Sequence, residues 1–564
     1  MSEITKPIIL DETGVRMAAA LEDISRGGNA DAIDASYEAM LDGTNTSKIF
    51  AIWWPLSANG DTRYQRLERW FTMLARVWEE KRYTLRYYKD TVSSSSEMTP
   101  QDDLVGKSAA QLCTENTTPV ADWADEDPMT WYVRANAKSL ADGTMNILAI
   151  EGESEFDLHG ETAPVYTFCM ALWLRTWEEG DYNYKSWATV NHGGYAPYEG
   201  DVAPDGSKRV MTWRPTFPGS LDAGGALTSG VGGKPYIWAA ATSGLTAARK
   251  QTAYEGLWND ADAIWALDMW QLRHFSLENS GICEGCQSYN YQYHCALGET
   301  DVHRVLLTTA QAANLQVGSN LEIGEQGSGT SNDRSTSYNY SIAQYAKILS
   351  IESVTIDGTT YAAITVDTES AFTTTTTTLV STMPWDSGNT EHLPGHKDGA
   401  CHSLLAGQNP LRVQGVEMMS GAYDVGIEPL YNVTAGSDGT HWNYSIYACR
   451  DSVNLAGSVT ANHVLVHTAA DIPQGWGYVK AFWQTVLAVL FPSKLGGSTS
   501  TYYKSGFYGP SSAGVRVPWR YGGLSHDDIA GLACEYGNLS PSYSYWNGRP
   551  RLCGSGKKRG EWAA

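Results

Sequence analysis

The segment NDADAIWALDMWQLRHFSL, Asn259 to Leu277, is apolar nearly all the way round when laid on a helix. Such a helix offers no face to water, so it is expected to be buried deeply, with Asn259 or Asp260 as its cap. Little else reads as helix. Residues 61–82 place Tyr64, Leu67, Phe71, Leu74 and Trp78 on one stripe, with Asp61 or Asn59 as cap. Residues 12–26 place Met17, Leu21 and Ile24 on one face and stop at Gly27-Gly28. The remainder, rich in its 55 Gly, 21 Trp and 32 Tyr and only 18% charged, reads as strand and loop with wide aromatic surfaces.

The 564 residues predict two to four domains, and the 42% apolar content excludes bulk disorder. A net charge of −23 argues against coating nucleic acid or anionic lipid. The basic tail (Arg549, Arg551, Lys557, Lys558, Arg559) is too small a patch to reverse that. The longest apolar run, Val479 to Phe491, is interrupted by Lys480 and Gln484 and is too short to span a bilayer. It reads as a buried helix or a strand pair, and no membrane insertion is expected. The opening MSEITKPIILDETG has no basic start and no apolar run, so no signal peptide is expected. Nine scattered cysteines do not make a disulfide framework, which implies synthesis in a reducing cytoplasm.

Along the chain, Thr91 to Asp103 reads as a flexible joint, and a first boundary falls near residue 110. Residues 165–177 alternate Tyr166, Phe168, Met170, Leu172 and Leu174 on one face, as a half-buried strand does, with YNYKSWATV as hairpin partner. Residues 301–382 form a β-rich block with a turn at Asp357-Gly358, ending in the Thr373–Thr378 run, an edge strand or linker. This block reads as a small β-barrel-like insertion. From Pro384 onward, loops on a compact β-containing core are expected.

Several pieces, in order, resemble the C-type-lectin fold of phage tail proteins and of the proteins varied by diversity-generating retroelements. VYTFCMALWLRTWEEGDYNYKSWATV resembles that family's early strand pair, and MTWRPTFPGSLDAGGALTSGVGGKP its next strand and loop. WALDMWQLRHFSLENS resembles its central helix, NPLRVQGVEMMSGAYDVG its Arg-Gly-Ile-Glu-Asn segment, with Gly415-Val416-Glu417 as a departure. GVRVPWRYGG and AGLACEYGNLSPSYSYWNGRPRL resemble its last strands. The resemblance covers roughly residues 120–564 around the β block. It implies an α+β chain: a helical N-terminal virion-attachment module (1–110), a C-type-lectin-like domain in two parts (111–300 and 383–564), and the insertion (301–382).

That resemblance implies a non-enzymatic receptor-binding protein of the virion tail. Its expected partners are a bacterial surface protein or glycan and other tail proteins, and a homo-oligomer, with a trimer favoured. Gly531, Leu532, Gly548, Arg549 and Leu552 become scaffold. The contact face becomes Phe507 and Tyr508, the loop Leu524, Ser525, His526, Asp527 and Asp528, and the stretch Glu535, Tyr536, Asn538, Ser540, Ser542, Tyr543, Tyr545 and Trp546. Tyr and Trp give contact area for few frozen torsions, while Ser and Asn give adaptable hydrogen bonds. The plainer reading is that Tyr543, Tyr545 and Trp546 pack a small sheet. Two further alternatives are a tail-associated glycan-degrading enzyme and a purely structural tail or baseplate component.

Other groups point less sharply. Cys283, Cys286 and Cys295 lie near His294 but in irregular spacing for zinc, and buried thiols are the simpler reading. Asp527-Asp528 on a loop would accept hydrogen bonds or hold calcium. No cofactor is expected; structural calcium or zinc stays open. The cysteine pair that formylglycine-generating enzymes of the same fold need is not matched, since Cys534 lies far before Cys553. Tandem Glu178-Glu179 on a strand would point opposite ways, and the Gly pairs lack a following Lys-Ser/Thr.

Overall fold

The computed structural model describes residues 62–449, 451–483 and 489–554. The helix expected over 12–26, and with it most of the N-terminal attachment module, lies outside the described residues. The described chain is mostly β-sheet with few helices, an α+β or mainly-β architecture.

The all-round apolar segment forms the helix Asp260–His274, and every one of its residues is buried. Asn259 is the cap: its side chain accepts from the Asp262 amide while the Asp262 carboxylate takes the Asn259 amide, a reciprocal capping box. The helix stops at Phe275, whose φ of 53° is left-handed. Burying its charged residues requires partners. Asp260 pairs with Arg520, Asp262 with Arg214 at 2.7 Å, Asp268 with Lys185, and Arg273 with Asp398 at 3.0 Å. The helix is therefore an axle fixed by ion pairs to segments far apart in sequence.

The stripe over 61–82 folds as Arg63–Val77, capped by Thr62 rather than by Asp61 or Asn59. Leu67, Phe71 and Leu74 are fully buried, and Tyr64 meets the Trp213 ring edge-on at 6.1 Å. The strand Tyr83–Tyr88 then pairs with Tyr182–Ala188, and one hydrophobic core runs from Tyr64 to Leu552. The boundary expected near residue 110 thus falls inside a continuous core. Nor is 91–103 a free joint among the described residues: Met98 is buried, Thr99–Asp102 is a strand, and the Tyr502 amide donates to the Ser94 carbonyl at 2.9 Å.

The alternating run 165–177 is two strands in two sheets. Val165–Met170 lies between Tyr132–Ser139 and Met211–Pro215 and is buried on both faces; Trp173–Glu179 forms the expected hairpin with Tyr182–Ala188. Of the run Val479–Phe491, the described residues show one strand, the end of Gly475–Phe482, whose partner Pro492–Leu495 begins after the run; 484–488 lie outside the described residues. No helix among the described residues is long and apolar enough to cross a membrane.

Residues 292–383 build a six-stranded sheet in the order Gln292–His294, Thr378–Met383, Asn320–Glu325, Ala343–Ile356, Thr359–Val366, Arg304–Leu307. Its ends meet just past the strand Gln292–His294: the Ala296 amide donates to the Leu306 carbonyl at 2.8 Å, and Leu297 bridges to Leu306. The sheet closes on its own core, which includes Val305, Leu321, Ile348 and Ile364. Asp357 (φ 49°) and Gly358 (φ 77°) make the turn of its long hairpin. The Thr run does more than link: the hydroxyls of Thr375 and Thr378 donate to the Glu325 carboxylate at 2.9 and 2.8 Å.

The C-terminal part contributes a ten-stranded sheet. Its strands Gly506–Gly509, Gly514–Arg520, Glu535–Leu539 and Gly548–Pro550 carry the expected contact face.

Candidate functional site

The segment around the strand Gly548–Pro550 is clamped. Arg549, fully buried, donates from Nε to the Gly219 carbonyl at 2.6 Å and from Nη1 to the Trp385 carbonyl at 3.0 Å and Ser420 Oγ at 3.1 Å. Arg551, also fully buried, pairs with Asp424 at 2.9 Å and lies 4.4 Å over the Trp258 ring. Gly531, Leu532, Gly548 and Leu552 are likewise buried. These residues form the frame; residues 540–546 are the loop it holds.

On the strands, strict alternation sorts the expected contact residues. Phe507 is opposite Glu535, and Tyr508 is opposite Tyr536. The first pair points inward: Phe507 is fully buried, and Glu535 is 1% exposed with Arg520 Nη1 at 2.9 Å. Burial pushes the Glu535 carboxyl up while Arg520 pulls it down. The second pair points outward and is half-buried, its rings parallel with centroids 4.3 Å apart. Trp476, opposite Tyr508 on the next strand, meets these rings edge-on at 5.1 and 5.5 Å. Asn538 accepts the Ser511 amide at 3.1 Å.

In the loop, Ser542 and Tyr543 are exposed, Ser540 and Tyr545 half-buried, and Trp546 is buried. Ring neighbours run on from Tyr543 to Tyr545 at 6.1 Å, from Tyr545 to Trp238 at 6.3 Å and from Trp238 to Tyr340 at 6.3 Å. Buried Tyr423 and Trp519 join this group to Tyr536, through contacts of 6.0, 5.8 and 5.8 Å. Sequence reading alone did not find Trp476, Trp238, Tyr340 or Asp333. The flanking Gly475 and Gly477, which leave Trp476 little side-chain cover, were the one local signal.

The barrel supplies one wall of this face. Tyr545 donates its hydroxyl to both Asp333 oxygens at 3.1 Å, and the Arg334 guanidinium covers Trp546 at 4.5 Å. Burial pushes Asp333 up, but hydrogen bonds from Ser335 and Tyr545 outweigh it and hold the carboxyl below its usual range. Asp333 therefore stays ionised and is a poor proton donor. Beneath it, Glu322 is fully buried, and neither carboxylate oxygen has a hydrogen-bond partner. Burial pushes its carboxyl up to about 8, against the pull of Arg334.

The loop 524–528 splits in the same way. Leu524 is fully buried and donates its amide to Gly421 at 3.0 Å; Ser525 and His526 are half-buried; Asp527 and Asp528 are exposed. Burial holds His526 below its ordinary value, and its ring lies 4.9 Å from Tyr423. Phe507, Leu524, Glu535 and Trp546 must accordingly be moved from the expected contact face to the interior, each because its register or cover points it into the core.

The cysteines do not converge. All nine are buried, and Cys283, Cys286 and Cys295 sit in three separate hydrophobic clusters. Burial raises all three thiols, Cys295 to about 12, so they are inert at neutral pH. Among the described residues no group of three or more His, Cys, Asp or Glu side chains could hold a metal ion.

No family model and no curated protein matches this chain.

Proposed function

We propose that this chain is a phage tail receptor-binding protein with a C-type-lectin-like scaffold, and that its C-terminal ring face grips a bacterial surface molecule. One observation carries the reading. The frame residues Arg549 and Arg551 are fully buried, while Tyr543, 39% exposed, and its Ser neighbours stand in solvent on the loop between the frame strands. A held frame with a changeable aromatic and hydroxyl loop is recognition chemistry. The half-buried rings Trp476, Tyr508, Tyr536 and Tyr545 extend the face to both sides, and the barrel loop at Asp333 borders it. In this reading the insertion completes the contact surface.

The test uses purified protein and a panel of bacterial cells, with bound protein counted by flow cytometry. Tyr543→Ala combined with Tyr545→Ala is expected to weaken binding at least tenfold, since truncated aromatic anchors typically cost about 2 kcal/mol or more. The melting temperature should stay within a few degrees, because Tyr543 is exposed and Tyr545 half-buried. Binding equal to the parent's, or a parent that binds no cell surface, would sink the proposal.

A further inference from the structure

We propose that the ring face selects its ligand by positive charge: a primary ammonium group, seated on Tyr543, Tyr545 and their neighbouring rings against the Asp333 carboxylate. This rests on the recognition reading above and names the chemistry that its ligand carries. Rings alone say little about charge, because the same aromatic surface takes a sugar face or an apolar side chain. What sets this one apart is a carboxylate brought in by the barrel. Asp333 is exposed; its two oxygens accept from the Tyr545 hydroxyl at 3.1 Å, and Oδ1 also accepts from the Ser335 amide at 2.8 Å. Its backbone is held as well, since buried Asn339 donates to the Ser331 and Asp333 carbonyls, both at 2.9 Å. Among the described residues Asp333 makes no ion pair. The adjacent cation is turned inward: Arg334 is 4% exposed, donates from Nε to the Thr382 carbonyl at 2.8 Å, and covers Trp546.

The rings are uncapped in the same way. Elsewhere on the surface the chain covers its own aromatics, with Arg86 over Tyr182 at 4.4 Å and Arg175 over Trp177 at 4.8 Å. Among the described residues no lysine or arginine lies over Tyr543, Tyr545, Trp238 or Tyr340. The faces of such rings are electron-rich and attract a cation, and an ionised carboxylate beside them adds to that pull. The other end of the face has the same sign. Asp527 and Asp528 are exposed there, beyond His526, whose ring lies 6.0 Å from Trp476 and which burial holds below its ordinary value. An acidic glycan would set like charge against Asp333. A neutral sugar would cover the carboxylate and return nothing for its lost water.

The experiment begins with bacterial cells that bind the parent protein. Acetylating their surface amines turns each ammonium into an uncharged amide, and bound protein, counted by flow cytometry, is expected to fall at least tenfold. Asp333→Asn keeps an oxygen for the Tyr545 hydroxyl and removes the charge. It should weaken binding to untreated cells about as much and leave the remainder insensitive to acetylation, with an unchanged melting temperature because Asp333 is exposed. Trilysine against its Nε-acetylated form, and a glucosamine tetramer against its N-acetylated form, tell a protein amine from an amino sugar. Any cationic probe is drawn by the net charge of −23, but Asp333→Asn alters that total by one unit, so a tenfold loss locates the contact. The inference is overturned if acetylated cells bind as well as untreated ones, if Asp333→Asn binds as the parent does, or if an acidic probe is preferred. Should that happen while Tyr543→Ala with Tyr545→Ala still loses the cells, the ring face stands as a recognition site for an uncharged or acidic ligand. Should the double variant bind as the parent does, the recognition reading fails with it.

Discussion

An Arg520→Met variant should unfold about 3–5 kcal/mol more easily than the parent, the range for breaking a buried ion pair by removing one partner. Arg520 is 1% exposed and serves two carboxylates: Asp260 at the start of the central helix and Glu535 on the neighbouring strand. It also donates to the Leu490 carbonyl at 2.9 Å. Met fills similar volume but leaves both acids buried without a cation. Burial already raises both carboxyls even with Arg520 beside them. Without it they must take up protons to stay inside, so the loss should be larger at pH 8 than at pH 5. Urea unfolding followed by Trp fluorescence at both pH values checks this. A deficit of the same size at both would mean that the guanidinium matters only for its packing, and adding Glu535→Gln to the variant should recover part of the loss.

That same cluster shows how far the sequence could be read. The central helix was legible because its pattern is local: apolar residues on every face, and an Asn three residues before an Asp that can close the cap. The Asp357-Gly358 hairpin was legible for the same reason, since the turn chemistry sits in two residues. The run 165–177 misled because its alternation continues unbroken across Ala171-Leu172. Nothing local marks where the chain leaves one sheet for another; only the partners Tyr132–Ser139 and Tyr182–Ala188 decide that. Likewise the pairing that reaches across residue 110 was not legible locally, because the strand Tyr83–Tyr88 pairs with residues about a hundred positions away.

At the candidate site, alternation over 535–539 was visible, but not which parity faces out. Glu535 reads as a surface residue until Arg520 is placed beside it by register. Trp546 reads as a presented ring until Arg334, from the barrel, covers it. Trp238, Tyr340 and Asp333 join the face only through the fold, from segments with no common motif. Composition could announce that aromatic surface would exist; it could not say which rings would be covered.

Glu322→Gln should stabilise the chain by about 3 kcal/mol at pH 7 and by little at pH 4. Leu321 and Ile323 point into the barrel core, so Glu322 between them points out of it, toward the loop that carries Arg334. The carboxyl is fully buried, and its value is raised from an ordinary 4.5 to about 8. A raised acid keeps its proton in the folded chain where the unfolded chain gives it up. Stability therefore falls as pH rises from about 4.5 to about 8, and the penalty is fully present only above that window. At pH 7 the folded Glu322 is mostly neutral, so Gln removes no charge that Arg334 depends on; it removes only the unfolded chain's gain from ionising. Unfolding curves of parent and variant, compared across pH 4 to 8, should diverge steadily. Curves that stay parallel would show that Glu322 is ionised in the fold and that Arg334 is its working partner, in which case the variant should be the weaker of the two at pH 8.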